Sequence, residues 1–168
     1  MSVLYNPTTP TGAHRNVISV LKKADIVPSM ITDDVKSLSE LLAGTIKAFD
    51  QEIRLQGVAI VYLYDAKDQK QDSPLRSVDG INLKHERRGV SFHSIGIETR
   101  SIHRHDAEKY VPALFLHELA HCSCGPDHDD AFENQYNELL VELNKRTGLR
   151  VKNDYAGYEP DKPTEIRD

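Results

Sequence analysis

Hydrophobic positions recur at steps of three and four residues after Thr32-Asp33, and this spacing predicts an amphipathic helix. Residues 58–64 form a short run of β-branched and aromatic side chains, which is typical of a buried strand. Residues 90–99 alternate between apolar and polar types around Gly96, and this pattern predicts a strand at the edge of a sheet. The apolar positions of the helix are Val35, Leu38, Leu41, Leu42, Phe49 and Ile53.

Two further helices are predicted in the second half of the chain. The first carries an apolar stripe that runs into a pair of histidines, and Pro112 places its start or a kink nearby. The second follows Gly125-Pro126, with Asp129 or Asp130 as its N-cap and Gly148 behind its last turn. The apolar positions are Val111, Leu114, Phe115, Leu119 and Ala120 in the first helix, and Phe132, Tyr136, Leu139, Leu140 and Leu143 in the second.

Composition predicts one domain with two loose ends. Residues 1–16 are interpreted as a flexible arm, 17–152 as the domain and 153–168 as a C-terminal tail, because the two ends are rich in polar residues, Pro and Gly. A chain of 168 residues is long enough for one hydrophobic core. The mixture of helices and strands favours the α+β class.

Charge and apolar content exclude several classes of protein. The net charge of −5 argues against a broad nucleic-acid surface, and the densest basic cluster, residues 84–88, is interpreted as a solvated loop. No apolar run approaches the roughly 20 residues that span a bilayer, and no signal sequence opens the chain. We therefore expect no membrane association and an intracellular protein, cytoplasmic or, in a eukaryote, nuclear.

Chemistry concentrates in the stretch His117-Glu118-Leu119-Ala120-His121. Two histidines four residues apart project from one helix face and can reach one metal ion. The neighbouring Glu118 can accept the proton of a metal-bound water, so we predict that it is the general base of a hydrolase. The surrounding helix is apolar, and metal ligation explains why it holds three polar side chains.

A third metal ligand is expected shortly after the helix. His128 is the leading candidate because Gly125-Pro126 ends the helix and lets the chain fold back. The carboxylates of Asp127, Asp129 and Glu133 are competent rivals, although Asp129 also suits a helix cap.

Two cysteines, three further histidines and three tyrosines lie outside the predicted set of metal ligands. Cys122 and Cys124 are too close in sequence for a disulfide; either they are ordinary small residues in the turn, or one of them modulates the zinc under oxidising conditions. Upstream histidines are left outside the site, and three tyrosines are candidate oxyanion donors without a spacing rule to choose among them. The histidines are His93, His103 and His105, and the tyrosines are Tyr110, Tyr155 and Tyr158.

The segment from His117 to Phe132 resembles the active-site signature of the WLM metalloproteases and, more distantly, of SprT-like proteins. In those families a Gly-Pro-His step supplies the third zinc histidine and a Phe opens the next helix, positions that correspond here to His128 and Phe132. Asp127 adds one residue to the commonest WLM spacing. The resemblance implies a minimal zincin fold, one Zn²⁺ per chain, and proteolysis of DNA-bound proteins.

These observations together predict a zinc-dependent metalloendopeptidase with protein or peptide substrates. A small twisted sheet would pack on the active-site helix, and its edge near residues 90–99 would align the substrate by strand addition. Two alternatives stay open. One is a non-catalytic zincin-fold binding module with a structural or regulatory zinc, and the other is metal-assisted hydrolysis of a non-peptide amide.

Overall fold

The protein is described by a computed structural model that covers residues 33–68 and 78–152, together with the backbone of residues 2–6. Helices and strands follow one another without a regular alternation, which confirms the α+β class. The strands are β1 (Ser2–Asn6), β2 (Val58–Tyr64), β3 (Gly80–Arg87) and β4 (Val90–Glu98); the helices are α1 (Asp33–Ala48), α2 (Asp50–Leu55), α3 (Thr99–Ile102), α4 (Ala107–Cys124) and α5 (Asp130–Thr147), and Ala66–Asp68 form a 3₁₀ turn.

The strands form one mixed sheet in the order β1-β2-β4-β3. β1 and β4 run parallel to β2, and β3 runs antiparallel to β4. The prediction that residues 90–99 form the sheet edge is therefore wrong, because β4 lies between β2 and β3. Alternating polarity shows that the two faces of a strand differ, and it carries no information about which strands lie beside it.

The hairpin of β3 and β4 corrects the interpretation of residues 84–88 as a loop. Four of these five residues belong to β3, and the turn falls at Arg88 and Gly89. Their φ angles are 53° and 79°, the left-handed pair that a two-residue type I′ hairpin turn requires. Strand β3 was not predicted, because its charged residues interrupt the alternation of apolar and polar positions that is typical of a strand.

The hydrophobic core lies between one face of the sheet and helices α1, α4 and α5. Helix α4 packs against β3, β4 and both of the other helices. Fully buried side chains of the core include Leu38 and Leu42 from α1, Ile95 and Ile97 from β4, Leu114 and Phe115 from α4, and Leu140 and Leu143 from α5.

The predicted helices are present with changed boundaries. Phe49 separates α1 from α2, where a single helix was expected. Helix α4 begins at Ala107 and contains Pro112, so of the two predicted alternatives, a start or a kink near Pro112, the start is wrong. The backbone of the extra turn is held by Asp106, whose carbonyl accepts hydrogen bonds from the amides of Lys109 and Tyr110 at 3.0 and 2.9 Å.

The predictions for β2 and α5 are confirmed. Strand β2 has the expected bounds. Asp129 caps α5 by accepting a hydrogen bond from the Phe132 amide at 3.0 Å, and Gly148 ends the helix at a φ of 78°.

Residues 2–6 form a strand paired with β2, which the prediction of an N-terminal arm did not anticipate. The predicted domain start at residue 17 and the tail 153–168 lie outside the described residues. Among the helices described, none combines the length and apolar character that a bilayer span requires.

Candidate metal centre

Three histidine side chains converge at the end of α4. His117 and His121 come from the helix itself, and His128 comes from the connection to α5. The three Nε2 atoms lie 3.1–3.2 Å from one another. His117 and His121 are buried, whereas His128 is exposed to solvent. The structure thus brings together the three residues predicted as metal ligands, in a cluster that could hold a metal ion.

The backbone at Gly125 is what returns His128 to the helix. Gly125 has a φ of 80° and a ψ of −172°, a combination that only glycine adopts readily. Its amide donates to the His121 carbonyl at 3.1 Å and closes the last turn. Because Asp129 starts the next helix only four residues later, His128 lies in a short connection against the end of α4.

Gly125 also determines the tautomer of the neutral His121 ring. The Gly125 carbonyl oxygen lies 2.7 Å from Nδ1 of His121, and a carbonyl can only accept a hydrogen bond. Nδ1 therefore carries the proton, and Nε2 of the neutral ring presents its lone pair to the other two histidines. This tautomer is the one that binds a metal through Nε2.

The nitrogen triangle fits a metal ion better than it fits hydrogen bonding. A neutral imidazole Nε2 is either a donor or an acceptor, so three mutually adjacent atoms always leave one mismatched pair. Two nitrogens bound to one zinc at about 2.0–2.1 Å and at the tetrahedral angle lie about 3.3–3.4 Å apart. The observed separations of 3.1–3.2 Å are close to that value.

Two aromatic rings from α5 support the histidines. Phe132 is 2% exposed, and its ring centroid lies 4.6, 4.4 and 4.9 Å from those of His117, His121 and His128, respectively. Tyr136, one turn further along, lies 5.4 Å from His117. Both rings belong to the apolar stripe predicted for α5. Their contact with the histidines depends on how α5 packs on α4.

Glu118 is fully buried beside His117, and it faces β3. A Cβ atom added to Gly80 would lie only 2.9 Å from Oε2 of Glu118, so a glycine at this place leaves room for the carboxyl group. Burial raises the pKa of Tyr62, and the nearby negative charge of Glu118 raises it further. The predicted base thus lies under β3, and His117 precedes it directly in sequence.

Asn82 and His93 connect the same strand to the backbone of Glu118. The Asn82 amide nitrogen donates to the Glu118 carbonyl at 2.6 Å and contacts Sγ of Cys122 at 3.2 Å. The Asn82 side-chain oxygen lies 2.8 Å from Nδ1 of His93. Asn82 was not predicted and His93 was left outside the predicted site. The two side chains come into contact only through the register of β3 against β4, which the sequence pattern does not show.

The rival ligands do not join the histidine cluster. Asp129 caps α5, and neither Asp127 nor Glu133 belongs to the metal-capable group found among the described residues. Both cysteines are free thiols outside that group as well. Burial raises the pKa of Cys122 to about 11.

The remaining histidine and tyrosine candidates also have other surroundings. His103 lies 3.3 Å from Asp34 on α1, and His105 is exposed. The hydroxyl of Tyr110 donates to Asp79 almost two turns from His117, so the structure does not bring it to the site as an oxyanion donor. Tyr155 and Tyr158 lie outside the described residues.

Comparison of the whole chain with models of protein families, with curated proteins and with solved structures found no match in any of the three.

Proposed function

We propose that the protein is a zinc-dependent metallopeptidase of the zincin type, with His117, His121 and His128 as zinc ligands and Glu118 as the general base. One observation carries this proposal. Three histidine nitrogens form a cluster that could hold a metal ion, and the residue that directly follows the first of these histidines in sequence is a fully buried glutamate.

The donor set favours a catalytic over a structural zinc. Structural sites are closed by four protein ligands, often thiolates, whereas catalytic sites combine three ligands with a position for water or substrate. Among the described residues the cluster consists of three histidines, and the exposed His128 puts it at the protein surface. Imidazole also suits copper, iron and nickel, so the identity of the metal needs direct measurement.

The zinc ligands, Glu118 and Gly125 would have separate roles in hydrolysis. Zinc held by this set would lower the pKa of a bound water and polarise the carbonyl of the scissile bond. Glu118 accepts the proton at its carboxylate and returns it to the leaving amine, which yields two peptides. Gly125 keeps the His121 ring in its metal-binding tautomer.

Strand β3 is the best place for an extended substrate. Among the strands that the structure describes it stands last in the sheet order, and it contacts α4 through Gly80 and Asn82 beside Glu118. A peptide that pairs with the outer side of β3 by strand addition would pass close to the base. The resemblance to WLM and SprT-like proteases extends the proposal to DNA-bound proteins, and cleavage assays with and without duplex DNA test this extension.

The deciding experiment combines elemental analysis with cleavage of an unstructured protein. We expect one zinc per wild-type chain, and we expect His128→Ala to lose or greatly weaken zinc binding together with cleavage. Glu118→Gln should keep zinc and lower kcat by about 10²- to 10⁴-fold, the usual contribution of a general base. Glu133→Gln, a matched change of an exposed glutamate on α5, should cleave like the wild type.

Other results would select other functions. A metal-free wild type, or a Glu118→Gln variant that cleaves normally, would contradict the proposal. A zinc-loaded wild type without any cleavage would favour the non-catalytic binding module, and turnover of an acylated amine in place of a peptide would favour the amide hydrolase.

A further inference from the structure

The edge strand β3 holds Glu118 at two points. Gly80 and Asn82 are two residues apart, so they face the same side of the strand, which is the side packed on α4. Gly80 lies against the Glu118 carboxyl group, and Asn82 donates to the Glu118 main-chain carbonyl at 2.6 Å. The position of the base therefore depends on the position of the strand.

The orientation of the Asn82 side chain is determined by its partners Glu118 and His93. The carbonyl of Glu118 can only accept, so the amide nitrogen of Asn82 must face α4 and its oxygen must face β4. That oxygen accepts from Nδ1 of His93, which consequently carries a proton. Hydrogen bonds thus run in one direction from His93 on β4, through Asn82 on β3, to Glu118 on α4.

We propose that Asn82, oriented by His93, is a positioning residue that keeps strand β3 in register with the turn of α4 that carries Glu118. A substrate paired with β3 then meets the base at a fixed offset. The inference rests on the proposed peptidase function, because it assigns a role in the same reaction. The side-chain hydrogen bonds of Asn82 go to Glu118, Cys122 and His93, so its contribution is to the geometry of Glu118 and the substrate.

His85 provides a matched control on the same strand. Its Nε2 atom lies 2.8 Å from Oγ of Ser94 on β4, a cross-strand hydrogen bond of the same length as that between Asn82 and His93. His85 is an odd number of residues from Asn82, so it lies on the opposite face of the sheet, away from α4. Removing it weakens the hairpin without touching the link to Glu118.

The test compares Asn82→Ala with His85→Ala in zinc-loaded protein. We expect Asn82→Ala to lower kcat by about 10- to 100-fold, the usual effect of losing a group that orients an active-site residue. In Asn82→Ala, the KM for an unstructured protein and the zinc stoichiometry should stay close to the wild-type values. The acidic limb of the pH profile of kcat/KM should shift in the same variant. His85→Ala should leave kcat and this limb unchanged.

A second pair of variants tests the role of His93 and guards against misfolding of Asn82→Ala. His93→Ala should lower kcat in the same manner. In His93→Asn the side-chain amide can donate in place of Nδ1, so this variant should recover most of the lost activity. Equal losses in the alanine and asparagine variants would overturn the role of His93.

A readout without turnover separates this inference from the proposed function. In the Co²⁺-substituted protein, the pH midpoint of the change in visible absorption should shift in Asn82→Ala and stay in place in His85→Ala. A shift with an inactive wild type would support the positioning role and contradict the peptidase. An active wild type with the same kcat and the same midpoint in both variants would overturn the positioning role alone, and an inactive wild type without a shift would overturn both.

Discussion

Replacing Phe132 by alanine should weaken the metal site through the rings that it supports. Phe132 is 2% exposed and lies within 5 Å, between ring centroids, of all three histidines. Truncation of a buried phenylalanine costs about 3–5 kcal/mol of unfolding free energy in the metal-free protein. Because the histidine rings also lose their packing partner, we expect zinc affinity to fall by about 10- to 100-fold.

The loss of zinc affinity adds a second, separable penalty. With free zinc buffered at about 100 times the wild-type Kd, binding stabilises the wild type by about 2.7 kcal/mol. The same relation gives about 1.4 kcal/mol for a tenfold weaker site and about 0.4 kcal/mol for a hundredfold weaker one. Zinc should therefore stabilise Phe132→Ala by about 1.3–2.3 kcal/mol less than it stabilises the wild type.

Urea unfolding followed by circular dichroism, in chelator and in buffered zinc, measures both penalties. Phe49→Ala is the matched control, because Phe49 is a fully buried phenylalanine that packs under Arg146 on another side of the core. It should lose similar stability in chelator and gain the wild-type increment from zinc. Phe132→Leu keeps the measurement possible if the alanine variant does not fold. Equal zinc increments in the Phe132 variant and the wild type would refute the reasoning.

Two further substitutions separate the site from its scaffold. Gly125→Ala should lower the unfolding free energy by about 1–3 kcal/mol, because alanine is strained at this backbone conformation. It should also lower the zinc affinity measured by chelator competition, because the carbonyl that orients His121 moves. Gly89→Ala, at a similar φ of 79° in the hairpin turn, should leave zinc affinity unchanged, and equal zinc affinities in the two variants would contradict this role of Gly125. Asp79→Ala removes the buried partner of Arg100, whose guanidinium is half-exposed and also pairs with Glu98, and should destabilise the fold by about 1–3 kcal/mol in urea unfolding without changing zinc binding. A large loss of zinc affinity would show that this ion pair also shapes the site.

The three histidines of the candidate metal centre could be predicted because all of them lie in a stretch of twelve residues. Helical periodicity alone places His117 and His121 one turn apart, and Gly125-Pro126 ends the helix so that His128 can return. Local rules of this kind also gave the bounds of β2 and the cap at Asp129. They do not depend on which distant segments pack nearby.

Only the tertiary structure decided which groups surround those ligands. Asn82 lies 36 residues before Glu118, and its contact with the helix depends on the hairpin register, the sheet order and the packing of α4 on β3. The same packing pairs the Tyr110 hydroxyl with Asp79, away from the predicted site. It also places β3 at the end of the sheet order, where β4 had been predicted. Side-chain periodicity indicates which face of a helix or strand is buried. It does not indicate which element buries that face, because this choice depends on packing between segments that are distant in sequence.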